Sequence, residues 1–171
     1  MLTARLVVLA SALACLAAIA SGATADGAGR TAQSSVLCSD AIDGGTGPSP
    51  FPLILGRVGL QTSTNLRPVL LRDDAFRLWS KSGLVVVEGA APVVISVPPT
   101  WRARAAITWS NRGLGETSSE RVQSCPGHGW LAYPGGFFAQ AKGCIPIDVT
   151  VGARHRRVWI RMGSRAGCPP T

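Results

Sequence analysis

Ile145-Pro146-Ile147-Asp148-Val149-Thr150-Val151-Gly152-Ala153-Arg154-His155-Arg156-Arg157-Val158-Trp159-Ile160-Arg161-Met162 is the stretch that decides the fold class. On its first arm Ile145, Ile147, Val149 and Val151 alternate with Pro146, Asp148 and Thr150. On its second arm Val158, Ile160 and Met162 alternate with Arg157, Trp159 and Arg161. Successive side chains of a strand point to opposite faces, so period-two alternation on both arms is what two antiparallel strands with one face on a core require. Residues 152–155 are expected to form the turn between them.

Immediately upstream lies Cys125-Pro126-Gly127-His128-Gly129-Trp130-Leu131-Ala132-Tyr133-Pro134-Gly135-Gly136-Phe137-Phe138-Ala139-Gln140-Ala141-Lys142-Gly143-Cys144, rich in glycine and aromatics and bounded by cysteines. It reads as a loop. Glycines let the backbone bend sharply, so Trp130, Tyr133, Phe137 and Phe138 either fold inward under the end of the domain or form a ridge. An exposed ridge, with Arg154, Arg156 and Arg157 nearby, would suit stacking on a glycan or peptide. Inward packing is the plainer of the two readings.

Further upstream, short apolar or alternating runs recur between turn residues, as in Phe76-Arg77-Leu78-Trp79, Leu84-Val85-Val86-Val87, Val93-Val94-Ile95-Ser96-Val97 and Ala103 to Trp109. With the hairpin they make about nine short strands at regular spacing, the pattern of a sandwich or barrel. The fold class expected is all-β: a single antiparallel β-sandwich of immunoglobulin-like character with two disulfides. Trp79 and Trp109 are expected in its core.

The N-terminus reads differently. Arg5 precedes an uncharged apolar run from Leu6 to Ala20, and Ala23-Thr24-Ala25 fits the small-x-small rule of a cleaved secretory signal. The run is shorter than the ~20 residues of a spanning helix. Leu13-Ala14-Cys15 resembles a lipobox, but its leucine sits one place too near the cysteine, so lipoprotein anchoring at Cys15 is the minor reading. The expected organisation is a signal over 1–25, a small and polar flexible leader over 26–35, and a β-sandwich domain over 36–171. Localisation is expected to be secreted or extracellular, with no membrane span after cleavage.

Of the five cysteines, Cys38, Cys125, Cys144 and Cys168 remain after cleavage. An even number in an exported chain reads as two disulfides, with three pairings open. The expected pairs are Cys125–Cys144, a local closure, and Cys38–Cys168, a tie between the domain's two ends.

Seventeen Lys plus Arg against nine Asp plus Glu give a formal charge of +8, and loss of Arg5 with the signal leaves +7. The basic positions are scattered apart from Arg154-His155-Arg156-Arg157, where a solvated turn is the plainer reading. The expected partners are an anionic cell-wall polymer, a glycan or a secreted protein. Nucleic acid is not expected, since the chain lacks basic strands interleaved with aromatics and any nucleic-acid-binding motif.

Catalytic signals are thin. His128 and His155 are the two histidines. A hydrolase could in principle join His128 to Asp148 and to Ser124 or Ser110, but no Gly-x-Ser-x-Gly elbow accompanies them. Cys125 and His128 have the spacing of half a zinc site, which Cys144 and Cys168 could complete, yet an oxidising compartment favours disulfides. Asp73 and Asp74 are adjacent and would face opposite sides of a strand. No phosphate-loop or dinucleotide fingerprint occurs. No catalytic centre, metal or cofactor is therefore expected.

Trp101-Arg102, Pro134-Gly135-Gly136-Phe137-Phe138, Gly143-Cys144-Ile145-Pro146 and Gly167-Cys168-Pro169 together resemble the ending of a group of exported proteins of high-GC Gram-positive bacteria. That ending runs Trp-Arg, Gly-Gly-aromatic, Cys-Ile/Val-Pro, Cys. The resemblance covers roughly residues 83–170 and implies export without implying an activity. A shorter likeness, of Ala91-Pro92-Val93-Val94-Ile95-Ser96-Val97 with Trp101, Arg102 and Ser110-Asn111, is to the Streptomyces subtilisin inhibitors. Their cysteine shortly before this strand is replaced here by Glu88-Gly89, so no reactive-site residue carries over. The function expected is an exported, non-catalytic binding or structural module of the cell surface or extracellular space. A secreted protease inhibitor is the alternative, and a small hydrolase the second.

Overall fold

The computed structural model describes residues 33–42, 51–72, 74–87, 89, 91–110 and 115–170. The signal over 1–25, Cys15 and most of the leader lie outside these residues. Strands are numbered β1 to β14 in chain order. The hairpin is the longest regular piece: β13 (Gly143–Val151) and β14 (Arg154–Met162) pair antiparallel from Gly143 opposite Met162 to Val151 opposite Arg154. Its turn is Gly152-Ala153 alone. Arg154 and His155, expected in the turn, already pair with Val151 and Thr150. Gly152 has φ of 59°, which the first position of one class of two-residue hairpin requires. Ile145, Ile147, Val149, Val151, Val158, Ile160 and Met162 are all buried, as the alternation demands.

Around the hairpin, β1 (Ser34–Val36), β4 (Asn65–Leu66), β8 (Val93–Ser96) and β10 (Ser119–Val122) complete a six-stranded sheet in the order β1-β10-β8-β13-β14-β4. A second sheet has the order β11-β7-β3-β2, from β2 (Leu53–Ile54), β3 (Val58–Leu60), β7 (Leu84–Val87) and β11 (Trp130–Tyr133). A third has the order β5-β6-β12-β9, from β5 (Val69–Leu70), β6 (Leu78–Lys81), β9 (Ala105–Trp109) and β12 (Gly135–Ala139). The chain is all-β as expected, and the sheets pack together on one core that includes Val36, Leu60, Ile95, Trp109, Phe137 and Ile147. Among the described residues no helix is long and apolar enough to cross a membrane.

Three expectations need correction. Pairing begins at Ser34, inside the expected leader. Two pairings, β1 with β10 and β4 with β14, are parallel. Both belong to outermost strands reached by long connections, where no tight hairpin imposes the antiparallel sense. Third, the disulfides join Cys38 to Cys125 and Cys144 to Cys168, not Cys125 to Cys144 and Cys38 to Cys168. Strand β1 is the cause of the first bridge. Val36 pairs with Val122, and the Gln123 amide donates to the Val36 carbonyl at 3.0 Å. That alignment leaves Cys38 and Cys125 with Cα atoms 5.7 Å apart. Cys144 sits at the open end of the hairpin opposite Arg161, where the chain leaving β14 comes past at Cys168.

The stretch expected to be a loop between Cys125 and Cys144 holds two strands in different sheets, β11 and β12. β12 lies between β6 and β9, and its glycines are what admit it. A Cβ on Gly135 would stand 1.8 Å from the Thr108 carbonyl oxygen, and one on Gly136 would stand 2.1 Å from that of Ser80. Here glycine serves close backbone approach rather than bending.

Candidate functional site

The arginines of the hairpin do not form one patch. Arg157 donates from Nε and Nη2 to the two carboxylate oxygens of Asp148 at 2.7 and 2.9 Å. His155 Nε2 lies 3.4 Å from the same carboxylate. The ion pair raises the Arg157 pKa, chiefly through the hydrogen bond to Asp148. On the other side of the strand, Arg154 Nη2 donates to the Leu55 carbonyl at 2.9 Å. Arg154 and Arg156 are register partners of the inward residues Val151 and Val149, yet both are exposed, and among the described residues no strand pairs with the outer side of β14 along this stretch. Inward-facing charge on an open edge strand discourages pairing with a second chain. Two of the three arginines thus have structural engagements within the chain.

The aromatic ridge is likewise divided. Phe137 is fully buried and meets Trp109 edge-on at 5.2 Å. Tyr133 is buried with its hydroxyl 3.7 Å from Cys125 Sγ. Burial and, after it, the charge of Asp40 push the Tyr133 pKa up to about 12. Neither ring can stack on a ligand at the surface. Trp130 and Phe138 are half-buried. Phe138 lies opposite Trp79 in the register and 6.1 Å from Phe76. Trp109 is in the core as expected, with its indole N–H on the Ser82 carbonyl at 3.2 Å, but Trp79 is only half-buried.

Two carboxylates are withdrawn from the surface. Asp40 is fully buried and accepts the Leu37 amide at 2.8 Å. Glu120 is fully buried as well. Its Oε1 accepts the Trp109 amide at 3.0 Å and the Ser34 hydroxyl at 3.5 Å, while Oε2 has no hydrogen-bond partner. Burial above all, with the nearby Asp40 adding to it, raises its pKa to about 7, against the two hydrogen bonds that lower it. A carboxyl with one orphaned oxygen in an apolar site favours its neutral form. The sequence did hold a sign of this placement: Glu120 is two residues from Val122 in one strand, and so shares its inward face.

Among the described residues, three open clefts are each built on a half-buried indole. One of 390 Å³ is lined by Trp79, Arg67 and Lys81 among others. Another, of 320 Å³, has Trp101, Arg104 and Lys142. The third, of 440 Å³, has Trp159 and Arg161. No carboxylate lines any of them. Sequence reasoning missed these residues because each cleft collects them from segments far apart in the chain. Periodicity within a strand carries no such signal.

The catalytic and metal alternatives do not assemble. Asp148 is engaged by Arg157 and His155 rather than His128, and the Ser124 hydroxyl donates to the Gly89 carbonyl at 2.7 Å. The cysteines that might have completed a zinc site are all in disulfides, as an oxidising compartment favours. No group of three or more metal-binding side chains gathers among the described residues.

No protein-family model and no curated protein matches the sequence. Among solved structures the chain is similar to "Crystal structure of the S-layer protein SbsC domains 4 and 5", with a TM-score of 0.35 and 15% identity over 65% of this chain. The match spans about half of that solved chain, 53%. A score of this size carries no argument about fold or function.

Proposed function

We propose that the protein is an exported, non-catalytic binding module that associates with anionic polymers of the cell surface. The observation carrying this reading is the imbalance of surface charge. The sequence is already basic at +8. Asp40 and Glu120 are buried, whereas no lysine or arginine is buried among the described residues. The outer surface is therefore more one-sided than composition implies. A basic surface with few compensating carboxylates raises the local concentration of polyanions and binds them in a salt-dependent way. The two disulfides suit an extracellular setting.

Co-sedimentation of the oxidised protein with isolated Gram-positive cell walls tests the proposal. Binding at low ionic strength that falls away near 1 M salt, where the Debye length is about 3 Å, is the expected result. Failure to sediment with walls at low salt would overturn it. A Trp130→Ala variant run alongside asks whether the half-buried ring on β11 contributes. Loss of binding that persists in high salt would assign it a stacking role.

A further inference from the structure

We propose that the cleft between Trp101 and the β12–β13 connection is an anion-recognition subsite, taking a carboxylate or phosphate group carried on a surface glycan. The proposal rests on the polyanion-binding reading above and gives it a place on the molecule.

Arg104 is the centre of the argument. Its guanidinium carbon lies 5.6 Å from the centroid of the Trp101 ring, an arrangement in which the indole holds the cation by its face. Stacking of this kind restrains the side chain while leaving its in-plane N–H donors available. The backbone beneath it is fixed at both ends. The Arg104 amide donates to the Trp101 carbonyl at 2.8 Å, and the Gln140 amide donates to the Arg104 carbonyl at 2.9 Å. The second of these bonds also joins the cleft's opposing walls. Lys142 supplies a second cation from the far wall. A Cβ on Gly163 would come 3.1 Å from Lys142 Cγ, so the lysine stem runs along the end of β14.

Among the described residues neither side chain is engaged elsewhere: Arg104 and Lys142 have no hydrogen bond or ion pair to a side chain, and no carboxylate lines the cleft. The contrast with Arg157 is informative, since there the same fold satisfies an exposed arginine with a bidentate carboxylate. The cleft presents a comparable guanidinium with no carboxylate beside it among the described residues. A planar fork beside a point charge matches the two-oxygen edge of a carboxylate or phosphate. The volume of 320 Å³ is at the small end of ligand sites, enough for one charged sugar unit and not for a long polymer segment. Gln140, also in the lining, carries a side-chain amide that can hydrogen-bond hydroxyl groups around the anion. Because the cation is already held, binding forfeits less side-chain freedom than it would at a free surface arginine.

The test is titration of the oxidised protein with three probes: a galacturonic acid trisaccharide, a glycerol-phosphate oligomer and a neutral galactose trisaccharide. The two anionic arms separate carboxylate from phosphate as the source of the group, and the tighter one identifies it. Arg104→Ala is expected to weaken the preferred anionic probe at least about tenfold, in the range of a charge-assisted hydrogen-bonded pair. Arg104→Lys keeps the charge but loses the fork, and is expected to recover only part of that loss. Arg165→Ala removes the same charge from an exposed position outside the cleft and is expected to change affinity less than about twofold. Equal losses in Arg104→Ala and Arg165→Ala, equal binding of the neutral trisaccharide, or no binding of either anion would each overturn the subsite. If wild-type and Arg104→Ala proteins sediment equally with walls, the subsite falls while the polyanion reading stands. If wild type does not sediment at low salt, the broader reading falls.

Discussion

Strand β12 and the β13–β14 hairpin, neighbours in the chain, are held in place by opposite means. β12 is flanked on both sides, and its first two residues face the Thr108 and Ser80 carbonyls so closely that a Cβ would stand 1.8 and 2.1 Å away. The hairpin fills its inward positions with large apolar side chains and, among the described residues, has only β4, at its far end, on the outer side of β14. One region depends on the absence of side chains and the other on their burial. They should therefore differ in what they tolerate: β12 cannot gain an atom at Gly135, whereas the hairpin can lose atoms at a graded cost.

The largest effect is expected where the difference is sharpest. Gly135→Ala should destabilise the protein by more than about 4 kcal/mol, since relief of the clash requires moving a backbone strand. Urea denaturation would read this as loss of the cooperative transition. A midpoint close to wild type would show that β9 and β12 separate easily. Next, Ile147→Ala in the hairpin should cost about 2–5 kcal/mol, the ordinary range for a truncated core side chain, with cooperativity kept.

A third substitution probes the strand beside β12, because Glu120 accepts the amide of Trp109 on β9. The folded pKa of Glu120 is about 7, against an ordinary value of 4.5. A raised acid means that the folded state holds the extra proton between these values. Stability is thus greatest below pH 4.5, falls as the pH rises, and levels off above pH 7. The full fall from this group is on the order of 3 kcal/mol. Glu120→Gln keeps the acceptor for Trp109 and removes the charge. It should flatten this part of the pH dependence, and be more stable than wild type at pH 8 but not at pH 4, as measured by urea midpoints. An unchanged slope would show that Glu120 does not titrate in this window. The smallest effect belongs to the hairpin's outer face. Arg157→Ala removes an exposed ion pair and should cost at most about 1 kcal/mol. A larger loss, read by the same denaturation, would mean that the outer face helps to hold the hairpin.

The hairpin could be read from sequence because each of its residues states its own environment. Ile147 and Asp148 point to opposite faces, and two such arms suffice to announce a pair. β12 could not be read in that way, because Gly135 and Gly136 are chosen for what lies across from them, Thr108 and Ser80. Those neighbours are distant in sequence. The same limit hid the Trp101–Arg104–Lys142 cleft and reversed the disulfide pairing, since Cys38 meets Cys125 through the parallel strand β1. For a related reason the sequence leaves open whether Tyr133 and Phe137 pack inward, the plainer reading, or form a ridge. Their alternation along β11 and β12 sets which face they share, and only the sheet partners decide whether that face is covered.

The bridges also have a bearing on how the chain would survive cutting. Cys38–Cys125 and Cys144–Cys168 close two rings that follow one another without overlapping. A single peptide bond broken inside either ring leaves both fragments covalently attached. Between residues 38 and 168, only a cut in the span from Cys125 to Cys144 separates the protein into two pieces. Half of that span is secured as β11 and β12, but residues 126–129 and 140–142 are exposed. Nested bridges from Cys38 to Cys168 and from Cys125 to Cys144 would have survived any one cut in the same interval. A single hydrolysis in one of these short exposed connections does the most damage to the covalent integrity of the chain.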